Sequence, residues 1–195
     1  LRLTKQLYHA TSDERRPHLV SVIGIGGIGK SRLAWEFEKY IDGLAADVWW
    51  HRGRCLAYGD GVAFWALAEM VRMRAGILED EESAIALPKL RAALEEHVPD
   101  ADERRFVEPR LAQLLGLEAR GPGDQENLFS AWRIFFERLA DTSPTILLIE
   151  DLHWADDSLL DFVEYLLDWS RDRPIFILTT ARPELLERRP TWGAA

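Results

Sequence analysis

One cysteine, Cys55, is all that the 195 residues contain. That excludes an internal disulfide framework and a cysteine-built zinc site. Long apolar runs are missing too. Stretches such as Ile146 to Ile149 are far too short to cross a bilayer, and Leu1 to Ala10 holds no long apolar stretch of the kind that directs secretion. A reducing cytoplasm, with no membrane contact, is the expected setting. Basic residues are outnumbered, with 24 Lys and Arg against 33 Asp and Glu and a net charge of −9. That argues against broad charge-driven contact with nucleic acid, but it leaves room for a small basic pocket that takes phosphate. His51, His97 and His153 show no metal-ligand spacing, and no internal repeat or low-complexity tract is visible.

What is present is ordinary globular material. Hydrophobic residues make up 47% and charged residues 29%, enough apolar side chain to offset the ordering cost of a fold. The length suits one domain. The chain starts at Leu1 rather than Met and closes on Trp192 to Ala195, so both ends read as cuts through a longer protein.

Periodicity alternates between strands and helices. Leu19 to Ile23 is a β-branched apolar run ending in glycines, read as a buried strand. Leu33, Phe37, Tyr40 and Ile41 then mark one face of a helix starting at Lys30. Val48 to Trp50 is a shorter strand candidate, followed by His51, Arg52, Gly53 and Arg54, with a turn at Gly59 to Gly61. From Phe64 to Leu117 the pattern is helical, with Leu67, Met70 and Val71 on one face and Leu87, Leu90 and Leu94 on another. Gly121 to Asp124 breaks it. Leu128, Trp132, Phe135, Phe136 and Leu139 form an aromatic stripe before a turn at Asp141 to Pro144. Thr145 to Ile149 reads as a third strand, Leu159 to Leu167 as a helix, and Ile175 to Thr180 as a fourth strand. Strands too apolar to have a wet face, separated by helices, predict an α/β fold with a mainly parallel sheet.

Between the first strand and its helix lies Gly24-Ile25-Gly26-Gly27-Ile28-Gly29-Lys30-Ser31, which fits the phosphate-binding pattern G-x-x-x-x-G-K-[ST]. Glycines let the backbone take positive φ and approach phosphate oxygens. The N–H groups of the loop and the helix start point at an anion. Lys30 supplies charge for the β- and γ-phosphates, and Ser31 a hydroxyl for Mg²⁺. The stretch also satisfies G-x-G-x-x-G through Gly24, Gly26 and Gly29, the dinucleotide fingerprint of nicotinamide- and flavin-dependent oxidoreductases. That rival needs an acid at the end of the second strand. Here Asp47 precedes the strand and His51 and Arg52 follow it, and Lys30-Ser31 has no role in it.

A phosphate-binding loop in an NTPase works with a carboxylate that holds the metal and often one that orients water. Ile146 to Ile149 runs into Glu150 and Asp151, and two acids at the exit of a buried strand are costly to bury without a cation. The plainer alternative is a solvated strand end followed by a helix cap, the role expected of Asp156 or Asp157. The fourth strand leads into Thr180, Ala181, Arg182 and Pro183. Ligands of parallel sheets sit at the carboxyl ends of strands, so Thr180 and Arg182 are expected on the rim of the glycine loop, with Arg182 toward a γ-phosphate. Trp132 is expected in the core, Trp154 packed on the turn after the acids, and Cys55 buried and inert.

The stretches GIGGIGKSRLAWEF, RCLAYGDGVAFWALAEMV, ILLIEDLHWADDSLLDFVEYLL and IFILTTARPELL, between Pro17 and Pro190, resemble the AAA-like ATPase module of the STAND class of P-loop signalling NTPases. They are especially similar to the module found in bacterial adenylate/guanylate cyclase-type and LuxR-type regulatory proteins. The resemblance implies a three-layer α/β/α P-loop domain over residues 1–195, in which Gly24 to Ser31 is Walker A and Glu150-Asp151 is Walker B. It makes Gly24, Gly26, Gly27, Ile28, Gly29, Lys30, Ser31, Arg32 and Thr180 nucleotide contacts, Ser31, Glu150 and Asp151 the Mg²⁺ site, and Glu150, Asp151 and Arg182 the catalytic set, with Thr180 and Arg182 in the sensor-1 region. It implies a first strand lying between the fourth and a fifth, the fifth strand and a helical lid being absent from this C-terminally truncated sequence. One departure stands out, because the acids run Glu then Asp where the commoner active pair is Asp then Glu. The implied function is ATP/ADP binding with slow Mg²⁺-dependent hydrolysis as a switch for attached lid and effector or sensor domains, with nucleotide-dependent self-association and no direct nucleic-acid contact. The alternative is a scaffold without useful turnover.

Overall fold

The computed structural model describes residues 1–57, 63–118 and 124–193. The order of elements is α1 (Arg2–Glu14), β1 (His18–Ile23), α2 (Lys30–Asp42), β2 (Trp49–Arg54), α3 (Trp65–Ala75), α4 (Ser83–His97), α5 (Ala101–Leu114), α6 (Gln125–Thr142), β3 (Thr145–Glu150), a 3-10 turn (Leu152–Trp154), α7 (Asp157–Trp169), β4 (Ile175–Ala181) and α8 (Glu184–Arg188). The turns expected at Gly59 to Gly61 and Gly121 to Gly123 lie outside the described residues.

The four strands are all parallel, in the order β1-β4-β3-β2. Parallel neighbours need crossover connections, and the helices that supply them cover both faces, as the α/β reading predicts. The two inner strands, β3 and β4, are buried at every position, which is why they read as unbroken apolar runs. On one face Tyr8 of α1 and Phe37 and Ile41 of α2 pack against Ile146, Leu148, Phe176 and Leu178. On the other, α3, α6 and α7 bury Met70, Phe136 and Phe162 over Leu147, Ile149 and Ile177. Trp132 sits in this second layer at 2% exposure, as its stripe predicts. β1 lies beside β4, as the resemblance implies, and no strand pairs with its other edge among the described residues.

Several boundaries differ from the sequence reading. β2 is not confined to Val48–Trp50; it runs Trp49–Arg54, so His51 and Arg52 belong to the strand rather than following it. The polar end of this edge strand stays in register with Leu147 to Glu150 because its side chains alternate. His51 is fully buried with its ring edge-on to Phe136, while Gly53 passes under α3. A Cβ on Gly53 would lie 2.0 Å from the Ala66 carbonyl oxygen, so only glycine fits there. α6 continues through Asp141 and Thr142, the Thr142 hydroxyl donating to Leu139 O at 2.8 Å, and the break falls at Ser143–Pro144. α1 escapes an apolar-periodicity reading because the face it buries is Thr4, Tyr8 and Thr11.

Candidate nucleotide-binding site

The glycine loop leaves β1 at the carboxyl edge of the sheet, where Gly24 N–H donates to Ala181 O at the end of β4, 3.1 Å away. Gly27 and Gly29 have φ of 78° and 103°, and the space beside each Cα is open. This is backbone that L side chains rarely adopt, and it turns the chain into α2, whose first residues are Lys30 and Ser31. Lys30 Nζ reaches back and donates to Gly24 O at 2.7 Å and Ile25 O at 2.9 Å. A lysine held only by neutral carbonyls is free to exchange those partners for an anion. Gly24, Lys30 and the exposed Gly26, Gly27, Ile28, Gly29 and Ser31 thus form one continuous lip. Arg32 does not join it; its side chain is 82% exposed and loosely paired to Glu36 at 3.9 Å.

The acids and the last strand reach the same rim. Asp151, at φ 56°, donates its backbone N–H to Thr180 Oγ1 at 3.2 Å. An Arg182 Nη lies 3.9 Å from where a Cβ on Gly26 would stand, which brings Arg182 to the loop. The Arg182 N–H donates to His153 Nδ1 at 3.3 Å, so this nitrogen is the unprotonated one in that hydrogen bond. Burial lowers the His153 pKa, which agrees with an accepting ring. In the turn after the acids His153 is buried, and Trp154 packs its ring on that of His153, 4.9 Å between centroids, while remaining 48% exposed. Arg188 of α8 fixes that turn by donating to Ala155 O at 2.9 Å and His153 O at 3.2 Å. Asp156 caps α7, as expected, accepting from Leu159 N–H at 3.0 Å.

Glu150 is only 3% exposed, and its counter-ions come from β2. Arg52 Nε donates to Oε2 at 2.8 Å, and an Arg54 Nη lies 3.5 Å from the same oxygen. Arg54 Nε also lies 3.6 Å from Asp151 Oδ2. The cost of burying an acid at this strand end is thus met by guanidinium groups. The Arg52 pKa rises, chiefly through its hydrogen bond to Glu150. The other oxygen, Oε1, is buried and has no hydrogen-bond partner. A buried carboxylate oxygen with spare acceptor capacity suits a metal-bound water, so the residues present fit a Mg²⁺–nucleotide group. The roles of Arg54 and of His153 were not read from the sequence. Two arginines at alternate positions of one strand end were the available signal, but the acid that they share is about a hundred residues away.

Beside this rim Cys55 is buried, its N–H donating to Glu150 O at 2.9 Å. Burial, reinforced by Asp151, Asp156 and Glu69, pushes its thiol up to about 12, so it stays protonated and takes no part as a nucleophile.

The sheet order separates the two readings of the glycines. A dinucleotide fold places the second strand next to the first, whereas here β4 adjoins β1 and β2 is at the far edge, ending in Arg52 and Arg54 rather than an acid. Fold and loop together define a P-loop NTPase domain. A family model described as the AAA ATPase domain matches residues 2–178, and the chain belongs to that family. No curated protein matches it. The match ends just before Thr180 and Arg182, whose placement at the rim rests on the geometry above.

Proposed function

We propose that this domain binds ATP with Mg²⁺ and hydrolyses it slowly, and that the bound nucleotide is a regulatory switch within a larger signalling protein. The observation that carries the reading is the convergence of the Lys30 loop, Glu150, Asp151, Thr180 and Arg182 on one rim of the sheet. The N–H groups of the loop and of the start of α2 would take the phosphates. Lys30 would move from its carbonyls to the β- and γ-phosphates, and the Ser31 hydroxyl and Glu150 would hold the metal. The metal, when bound, would neutralise charge on the phosphate oxygens. Asp151 would orient the attacking water, with Arg182 and Thr180 beside the γ-phosphate.

Slow turnover is supported by the state of the acids. Asp151 is the shorter carboxylate, 39% exposed, with Arg54 3.6 Å from it. A guanidinium this close competes with the attacking water for the same carboxylate oxygen. The same contacts favour, as second reading, a domain that retains nucleotide and acts as a scaffold. In both readings the partners are the nucleotide, a lid and effector or sensor domains of the parent protein, a nucleotide cyclase or transcriptional regulator being the parent that the resemblance implies. Phosphate release from ATP–Mg²⁺ separates the readings. We expect turnover well below the roughly 1–100 s⁻¹ of kinases, abolished by Asp151→Asn with ATP affinity retained. Release no faster than the no-enzyme rate supports the scaffold, and release that Asp151→Asn leaves unchanged removes Asp151 from its role.

A further inference from the structure

Along β2 the residues Trp50, Arg52 and Arg54 share one face of the sheet with Ile146, Leu148 and Glu150 of β3, the face that α2 covers. Register places Arg54 directly opposite Glu150 and Arg52 opposite Leu148. The shorter contact nevertheless comes from the diagonal neighbour: Arg52 Nε donates to Glu150 Oε2 at 2.8 Å, while Arg54 Nη stands off at 3.5 Å. Diagonal pairs of this kind are within reach of long side chains. The other end of the same guanidinium, Nη1, lies 3.8 Å from Glu38 Oε2 on α2. One planar group thus spans from the helix that begins with Lys30 and Ser31 to the carboxylate at the end of β3.

We propose that Arg52 is a positioning residue for the metal-holding carboxylate: by committing Glu150 Oε2 it leaves Oε1 as the oxygen offered to Mg²⁺. This rests on the reading of Glu150 as that carboxylate. Glutamate has one more rotatable bond than the aspartate of the commoner order, so its carboxylate needs a second fixed point to be held in one place. A guanidinium supplies it, because its donors are set in a rigid fork. The unpartnered, buried Oε1 is what such a lock leaves behind. Partners that orient metal ligands in this way are typically worth about 10- to 100-fold in metal affinity.

Arg54 provides the control. It lies near the same oxygen and carries the same charge, but without the short hydrogen bond. Charge alone predicts that deleting either arginine tightens Mg²⁺ binding, by roughly fivefold for a divalent ion about 8 Å from the guanidinium in high dielectric. Positioning predicts that Arg52→Ala weakens it and that Arg54→Ala does not.

The test is the Mg²⁺ dependence of the affinity for a fluorescent ATP analogue, titrated on the 195-residue chain in EDTA and across Mg²⁺ concentrations. Arg52→Ala should weaken the Mg²⁺ response by about tenfold or more, with the EDTA affinity kept as proof of an intact loop. Arg54→Ala should leave the response equal or tighter. Arg52→Lys, which keeps the charge and loses the fork, should fall between the parent and Arg52→Ala, and it carries the test if Arg52→Ala does not fold. Glu150→Gln should weaken the response at least as much as Arg52→Ala, and the double variant should be no worse than Glu150→Gln alone. An Mg²⁺ response that Arg52→Ala and Arg52→Lys leave unchanged or tighten, with Glu150→Gln effective, overturns the proposal alone. A silent Glu150→Gln overturns the reading of Glu150 beneath it, and the proposal with it.

Discussion

The backbone N–H of Asp151 donates to the Thr180 hydroxyl oxygen at 3.2 Å. Through that bond the acid turn after β3 is held to the end of β4, and the left-handed backbone of Asp151 gains a fixed partner. Thr180→Val keeps the shape and removes the acceptor. Its cost in stability should be about 1 kcal/mol, while ATP hydrolysis falls by a larger factor than ATP affinity does. Urea unfolding beside phosphate-release and binding assays checks this, and equal losses in turnover and affinity would place Thr180 on the nucleotide alone.

Gly53 and Ala66 make a close approach between sheet and helix. The 2.0 Å between a Cβ on Gly53 and the Ala66 carbonyl oxygen involves backbone, which cannot rotate away. Gly53→Ala should therefore destabilise by about 3 kcal/mol, the upper part of the usual overpacking range. A urea midpoint equal to the parent's would mean that α3 shifts freely on β2.

The Trp192 indole N–H donates to Ser21 Oγ at 2.8 Å, and Ser21 Oγ in turn lies 2.8 Å from Thr179 Oγ1. Trp192 is 6% exposed and packs with Leu19 and Ile23 in the second layer, so it covers β1 on that face. Trp192→Phe should cost about 1 kcal/mol for the hydrogen bond, and Trp192→Ala about 3 kcal/mol or more. Thermal or urea unfolding of the pair distinguishes the polar contribution from the packing one.

His51 sets a pH dependence. It is fully buried, accepts from Arg74 Nε at 3.1 Å, and has its pKa lowered to about 3, by burial first and then by the Arg74 charge. A histidine held neutral in the fold but free to protonate when unfolded gives the unfolded state the extra proton. Its contribution is complete above the unfolded value near 6.5 and is lost as pH falls toward 3, at up to about 1.4 kcal/mol per pH unit. His97, also lowered by burial, adds in the same direction. Unfolding free energies measured between pH 7 and pH 5 should fall with pH, and His51→Gln should flatten the slope by close to one proton. An unchanged slope would show that His51 is protonated in the fold.

The loop was legible because its chemistry is local: glycines, Lys30 and Ser31 act within eight consecutive residues. β3 and β4 were legible because a strand buried on both faces shows as a continuous apolar run. The end of β2 was not, since His51, Arg52 and Arg54 look like loop residues until their partners from α3, β3 and α2 are in place. α1 hid behind threonines. The same holds for the site: the acids could be named from the strand that carries them, but the arginines that hold them belong to a strand far away in the chain.

The central claim is that the Lys30 loop binds the phosphates of ATP. Calorimetric titration of ATP–Mg²⁺ into the parent chain and into Lys30→Ala tests it most directly. The account predicts binding in the parent, a loss of at least about tenfold in the variant, in line with removal of a charged hydrogen-bond donor, and no binding of a nicotinamide dinucleotide by either. Equal ATP affinity in the two proteins, or a preference for the dinucleotide, would contradict it.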